Sequence, residues 1–446
     1  MQSATPLPGR VIFIYALGQL GWSLNSYAVG NLLVYFYMPP EQGVQDIPTF
    51  VYAGAVFGVF TLIGVLSAAG RLFDALIDPA IANWSDRKQS KWGKRRWFLR
   101  WGAFPFALFS LLIFLPPMEG ENAGNLVWLF ACLALYYFFF AFYVIPYTAL
   151  IAELGHTPSE RLRISTAISI TWAVGFVAGS SAFALQGYFE SLGLSPVSAF
   201  QRAIMLLSGI AFLLMLTPAL LLDENKYVRP ASSEAGIWKA IRSVIRNRNF
   251  RIFLLSDLLY WLALTFIQLG VIYYTTLLIG LDKSEASVFS LISFLMSFLW
   301  YWPVNYLSGK MGKRQLMLFA FLCFAIIFAV VSFARFYSFL GVWLLYGLAV
   351  CAAFPLAVFG ILPNAIIGDE VEREARERGT QFSGMYFGMR ALVMKIGISI
   401  ANLIFPSLLL LGKSASNALG VELSALLAIG FSVAGWWVFR SYEERN

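Results

Sequence analysis

The chain has 446 residues, 59% of them hydrophobic and only 13% charged, with a formal net charge of +8 and a mean hydropathy of +0.72. Soluble domains carry roughly 45–50% apolar and about 25% charged residues, so a water-soluble globular fold is excluded because it could not hide this much apolar surface. Cys132, Cys323 and Cys351 each stand alone in an apolar run, which excludes a disulfide framework or a cysteine metal site.

The first ten residues hold a single Arg10 and lead into a long apolar stretch with no small-residue cleavage site, so the first helix is expected to insert and stay. From there, breaks at polar, Gly and Pro residues divide the chain into twelve predicted helices: 11–39, 51–83, 97–117, 126–154, 166–188, 200–222, 250–279, 286–308, 315–334, 338–368, 381–411 and 421–440. Lengths near twenty residues suit the roughly 30 Å hydrocarbon core. An even number of spans puts both termini on one side. The loops on that side hold Arg87, Lys88, Lys91, Lys94, Arg95 and Arg96 and the later clusters around Lys239, Lys313 and Arg373, whereas the opposite side has only Arg202, Lys283, Arg335 and Lys413. Cytoplasmic loops collect Lys and Arg, so the reading is a multi-pass protein of the cell inner membrane with both termini cytoplasmic. Insertion topology and anionic lipid account for the net charge, and nothing calls for nucleic acid.

The polar segment 223–250 separates an N-terminal six-helix bundle, 1–222, from a C-terminal one, 251–446. Within it Ile237, Trp238, Ile241, Val244 and Ile245 fall on one side of a short amphipathic surface helix. The halves repeat. NWSDRKQSKWGKRR follows the second helix and NYLSGKMGKRQ the eighth, setting Gly93 against Gly312, while IPYTALIAEL and LPNAIIGDEV set Pro146 against Pro363 and Glu153 against Glu370 at nearly the same separation. The fold class is therefore all-α and polytopic, with parallel six-helix repeats, which is the organisation of the major facilitator architecture.

Charges inside the membrane point to function. In RLFDALID, Asp74 and Asp78 stand four residues apart on one helix face with Arg71 one turn earlier. They lie roughly 12–18 Å in from Asp86 at the helix end. The eleventh helix adds Arg390 and Lys395, and the seventh adds Asp257. Each such charge costs roughly 2.5–3.5 kcal/mol at a helix centre, so Arg71, Asp74, Asp78 and Lys395 together would cost on the order of 10 kcal/mol facing lipid. Two carboxylates one turn apart repel unless a cation lies between them. Two readings satisfy this: a Na+ or H+ site at Asp74 and Asp78, or a fixed salt-bridge network. Asp86, Arg87, Arg95, Glu153, Asp369 and Glu370 are either a cytoplasmic gate or solvated loop charge. His156 is read as a loop residue, and Tyr35, Tyr37, Tyr143 and Tyr147 as cavity-lining or packing aromatics.

The run RLFDALIDPAIANWSDRKQSKWGKRR resembles the second helix and following loop of the glycoside-pentoside-hexuronide:cation symporters, the melibiose permease group of the major facilitator superfamily. IPYTALIAEL with ERLRIS resembles their fourth helix and next loop, and LPNAIIGDEVEREARERGTQFSGMYFGMRALVMK the loop before their eleventh helix. The resemblance implies twelve helices with alternating access, Asp74 and Asp78 as cation ligands, and Arg71 and Lys395 as their charge partners. This sequence departs from the pattern where sugar-binding Asp residues are expected, having Ser23 and Val144, and where two auxiliary cation ligands are expected, having Ile77 and Ala141.

The resulting expectation is a transporter that couples Na+ or H+ to symport of a small organic solute, a sugar or glycoside, with no other cofactor. Ser23, Asn25, Tyr143, Tyr147 and Arg390 are the expected substrate contacts, and the lipid bilayer and the solute the expected partners of a monomer. A carrier of lysophospholipid or another non-sugar solute is the alternative, favoured by Ser23 and Val144. A membrane enzyme is disfavoured, because neither a zinc-protease helix motif nor a nucleophile elbow nor a Gly-rich phosphate loop occurs.

Overall fold

The computed structural model describes residues 7–41, 47–56, 58–155, 157–227, 246–378 and 383–444. The amphipathic helix expected within 223–250 and His156 lie outside the described residues.

Helices dominate. α1 (Gly9–Tyr27) continues through a π-helical turn, Ala28–Leu32, into α2 (Leu33–Tyr37). A two-stranded antiparallel hairpin, β1 (Ala55–Val56) and β2 (Phe60–Thr61), precedes α3 (Leu62–Arg87). The helix predicted over 51–83 therefore starts later than expected. Gly58, at φ 76°, takes a left-handed conformation that turns the chain into the hairpin. Then come α4 (Lys94–Leu112), α5 (Ala123–Leu154), α6 (Pro158–Ser180), α7 (Ala182–Ser191), α8 (Pro196–Leu221) and the short α9 (Glu224–Tyr227). The second half is built from α10 (Arg248–Tyr273), which runs into a second π-helical turn, Tyr274–Ile279. α11 (Ser284–Met311), α12 (Lys313–Ser332), α13 (Val342–Arg378), α14 (Ser383–Leu408) and α15 (Leu419–Phe439) complete it.

Local sequence explains where several helices begin. Asn122, Ser195 and Asn247 each accept a main-chain N–H of the first turn, and Thr157 with Glu160 closes a capping box. Among the described residues, nine spans are long and apolar enough to cross a membrane. α1, α3 and α4 fall short because they carry Gln19 and Asn25, then Arg71, Asp74 and Asp78, then Lys94, Arg95, Arg96 and Arg100. This is consistent with twelve spans.

The chain divides into two units. The first comprises Met1–Pro39, Gln45–Ala53 and Ala69–Ser232, and the second Pro40–Val44, Gly54–Ala68 and Ser233–Asn446. In the first, α1 packs on α6 and α8, and α4 on α5 and α8. In the second, α10 packs on α14 and α15, and α12 on α13 and α15, which is the same pattern carried by the second set of helices. The opening turns of α3 group with the second unit, where Ser399 Oγ donates to the Ala68 carbonyl at 3.0 Å and the Thr61 N–H donates to Ser407 Oγ at 3.2 Å.

The repeat reaches down to single atoms at the N-terminal ends of α4 and α12. Gly93 precedes α4 with φ 100° and ψ 153°, and Gly312 precedes α12 with φ 85° and ψ 154°. In the first unit the Glu224 carboxylate accepts the N–H groups of Arg95 at 3.0 Å and Arg96 at 2.7 Å. In the second, Glu444 accepts those of Lys313 at 2.7 Å and Arg314 at 2.9 Å. A carboxylate thus caps orphan donors at the positive end of each helix, worth about 0.5–2 kcal/mol. A Cβ at Gly93 or Gly312 would overlap the capping Glu224 or Glu444 side chain. Gly93→Ala and Gly312→Ala should each cost roughly 1–3 kcal/mol through the backbone conformation. Both should lower the unfolding midpoint in detergent. Gly309→Ala, where a Cβ meets nothing within 4 Å, is the control. Unchanged midpoints for both cap variants would refute the role.

Candidate functional site

α3 brings Arg71, Asp74 and Asp78 together inside the first unit. Asp74 is 0% exposed and Asp78 half-buried, and Arg71 Nη1 stands 3.8 Å from Asp74 Oδ2. The Arg71 guanidinium lies over the rings of Tyr137 and Phe140 of α5, 5.5 and 5.9 Å from their centroids. Tyr137 approaches α3 this closely because residue 70 is glycine, where a Cβ would overlap its ring. From α1, Gly30 in the π-helical turn faces the same guanidinium, a Cβ there lying 3.5 Å from Nη2. π-helical turns recur at functional sites.

Ile77, the neighbour of Asp78 in the chain, packs on an apolar cluster. Ile81, Phe98, Ala141 and Phe142 form a buried cluster against which Ile77 packs. The two positions that depart from the symporter pattern, Ile77 and Ala141, thus belong to packed hydrocarbon and supply no oxygen. Lys395 lies half-buried on α14 in the second unit.

The expected substrate contacts are buried among helix partners. Tyr143 and Tyr147 are 0% exposed. Tyr143 donates to the Met215 carbonyl of α8 at 2.8 Å, and Tyr147 and Tyr15 each donate to the other's carbonyl at 2.5 and 2.6 Å with their rings stacked 4.4 Å apart. A phenol inside an apolar bundle must find an acceptor, and here main-chain carbonyls of neighbouring helices serve. These tyrosines fasten the first unit. Ser23 is also buried, its Oγ donating to Leu20 O at 3.1 Å, in a place where a Cβ on Gly175 would overlap it. Asn25 donates to Phe106 O at 3.3 Å, while its buried Oδ1 accepts no hydrogen bond among the described residues. Tyr147→Phe and Tyr143→Phe should each cost about 1 kcal/mol of stability. Neither should change substrate KM by more than about twofold. A large KM increase with unchanged stability would restore them as substrate contacts.

Arg390 bonds two neighbouring helices. Its Nε and Nη2 fork the carboxylate of Asp257 on α10 at 3.0 and 3.3 Å, and its Nη1 donates to Asn364 Oδ1 of α13 at 2.8 Å. Asp257 is 0% exposed. Sequence reading placed Asp257 on the seventh helix and did not single out Asn364. The available signal was the rule that opposite charges within a membrane seek each other.

The expected gate residues also find partners within their own units. Arg95 bonds Ser85, Asp86 and Glu153, the last at 2.7 Å from Nη2, and Lys94 reaches Glu153 at 3.2 Å. Arg87 is exposed at the end of α3. In the second unit Asp369 pairs with Lys313, and Glu370 accepts Asn247, Asn249 and Tyr442 at 2.8, 2.6 and 3.0 Å. These carboxylates tie helix ends together in each repeat.

Comparison with known proteins shows the family. A family model described as "MFS/sugar transport protein" matches residues 14–434. The chain belongs to that family. Its members are transporters, and this multi-pass membrane protein is one of them, not an enzyme; the family places it with the cation symporters that its second-helix motif resembles. The isoprimeverose transporter of Lactiplantibacillus pentosus is 22% identical over 71% of this chain and 62% of its own length, so the match leaves more than a third of that relative uncovered. The putative glycoside/cation symporter YagG of Escherichia coli (strain K12) is 22% identical over 94% of this chain and 87% of its own. Among solved structures, a D-xylose-proton symporter superposes with a TM-score of 0.69 at 14% identity, covering 97% of both chains, and supports the major facilitator fold.

Proposed function

We propose that this protein is a secondary active transporter that couples a cation to symport of a sugar or glycoside. The observation that carries the reading is the buried Arg71, Asp74 and Asp78 cluster on α3. Asp74 and Asp78 take the coupling ion, and Arg71 and Lys395 are the charge partners of the two carboxylates. The ion is H+: Ile77 and Ala141, where the resemblance expects auxiliary cation ligands, belong to an apolar cluster, whereas Na+ needs several oxygen ligands and a carboxylate alone can take up a proton. The relatives' names favour a sugar or glycoside as the solute.

Two bundles, 1–222 and 251–446, joined by 223–250, would alternate access to the two sides. Both termini lie in the cytoplasm of a cell with the chain in its inner membrane, as the Lys and Arg distribution favours. The working form is a monomer with no nucleic-acid partner.

Uptake of labelled glycosides into proteoliposomes, driven separately by a pH gradient and by a Na+ gradient, tests the proposal. Accumulation driven by the pH gradient alone is the expected result. Accumulation that only a Na+ gradient drives would overturn the choice of ion, and stabilisation by lysolipids but by no sugar would overturn the substrate class.

A further inference from the structure

Arginines at the starts of α4 and α12 meet different partners in the two units. In the first unit Arg96 docks on the end of α8, its Nε donating to the Ala219 carbonyl at 3.0 Å and its Nη2 to that of Leu220 at 2.6 Å. In the second, Arg314 docks on the end of α15 through Nη2, which donates to the Arg440 carbonyl. Its Nε is buried and donates no hydrogen bond among the described residues. Where the first unit makes this contact at Leu220, the second adds a further guanidinium, that of Arg440.

Arg248, at the start of α10, brings a third. Arg248, Arg314 and Arg440 line one cleft of about 750 Å³ within the second unit. Arg248 and Arg440 are exposed, and none of the three pairs with a carboxylate among the described residues. Arg95 in the first unit, by contrast, meets both Asp86 and Glu153. Two acidic residues share the cleft with the arginines. Both carboxylate oxygens of Glu444 accept helix N–H groups, and the main chain of Glu443 is bonded to Asn249. Three guanidinium groups against two carboxylates leave the cleft net positive.

We propose that this cleft binds the phosphodiester headgroup of an anionic lipid. The three arginines stand at the ends of spans long and apolar enough to cross a membrane, Arg248–Ile279, Lys313–Ser332 and Leu419–Phe439, and therefore at the level of the headgroups. A guanidinium presents its N–H donors in one plane, and two oxygens of a phosphate can meet it at once. The Arg314 Nε supplies a donor that water does not reach. Beside the cleft the Arg440 guanidinium lies over the Trp436 ring, 5.8 Å from its centroid, and the neighbouring Trp437 is 69% exposed. Indole rings at a span end suit the glycerol and acyl chains of a lipid and offer nothing to a free phosphate. The sorting of Lys and Arg to one side of a membrane does not account for the cleft. It requires only that basic residues lie on that side, not that three without carboxylate partners converge.

The test reads thermal stabilisation of the purified full chain in detergent during titration with phosphatidylglycerol, with phosphatidylcholine, and with inorganic phosphate against chloride at equal ionic strength. Phosphatidylglycerol should stabilise the wild type and phosphatidylcholine should not. Arg248→Gln and Arg440→Leu should each raise the phosphatidylglycerol needed for half-effect about fivefold, and the two together about twentyfold. Arg440→Lys, which keeps the charge and loses the planar fork, should fall between wild type and Arg440→Leu. Lys310→Gln removes one charge from the end of α11, outside the cleft, and should leave the titration unchanged. Arg314→Gln should show the largest shift. Should that variant fail to fold, the double variant at the two exposed positions carries the test. A wild-type titration in the double variant, or an equal shift in Lys310→Gln, would overturn the site. Stabilisation by inorganic phosphate that matches phosphatidylglycerol would overturn the lipid as its ligand.

Discussion

Asp74→Asn is expected to abolish cation-driven accumulation of the substrate. One charge crossing 100 mV supplies about 2.3 kcal/mol, enough for roughly fiftyfold accumulation of a neutral solute. Without the carboxylate the ratio should fall from about fifty to about one while downhill exchange of solute continues. Asp74 is completely buried beside the Arg71 guanidinium, so the asparagine leaves that cation uncompensated and also weakens ion binding. Asp78→Asn, one turn further along the same face, should show the same uncoupling. Proteoliposomes with an imposed gradient, compared with counterflow in its absence, separate coupling from translocation. Both variants accumulating solute like the wild type would refute a coupling role and favour a static network.

The second large effect belongs to the second unit. Asp257→Ala or Arg390→Ala alone should destabilise the protein by roughly 3–5 kcal/mol, because each leaves an unpaired charge in a low-dielectric interior. The double replacement Asp257→Leu with Arg390→Met should recover most of that loss, since the pair offsets its own desolvation only narrowly. Asn364, the third member at 2.8 Å, loses only one hydrogen bond on Asn364→Ala and should cost about 1–2 kcal/mol. Unfolding midpoints in detergent provide the comparison. Transport activity retained by the double replacement would show that Arg390 does not contact substrate; stability unchanged in the single variants would refute the buried-pair account.

Legibility varied with the range of the interaction. The pseudo-repeat was visible in Gly93 against Gly312, and both glycines adopt nearly the same left-handed conformation ahead of their helices. The capping carboxylates Glu224 and Glu444 were not visible in that comparison, because each lies over a hundred residues from the helix it caps. The same limit explains Tyr143 and Tyr147. Their amphipathic rings suit a cavity wall as well as a helix seam, and only the positions of the Met215 and Tyr15 carbonyls distinguish the two. Glu153 and Glu370 matched as a repeated pair, but one bonds an arginine and a lysine while the other bonds two asparagines and a tyrosine.

Sequence by itself determined the solvent, the class of fold and the location of the intramembrane carboxylates. Hydrocarbon-length apolar runs admit only helix, because no water satisfies a free peptide group there, and charge among them is too costly to be incidental. Tertiary structure alone decided which groups surround each buried charge. Arg390 and Arg71 are the same residue type, each in a membrane-spanning helix, but one meets a carboxylate across a helix interface and the other meets two aromatic rings first. The partner that takes up a buried charge comes from a helix far away in the chain, and side-chain spacing along one helix carries no record of it.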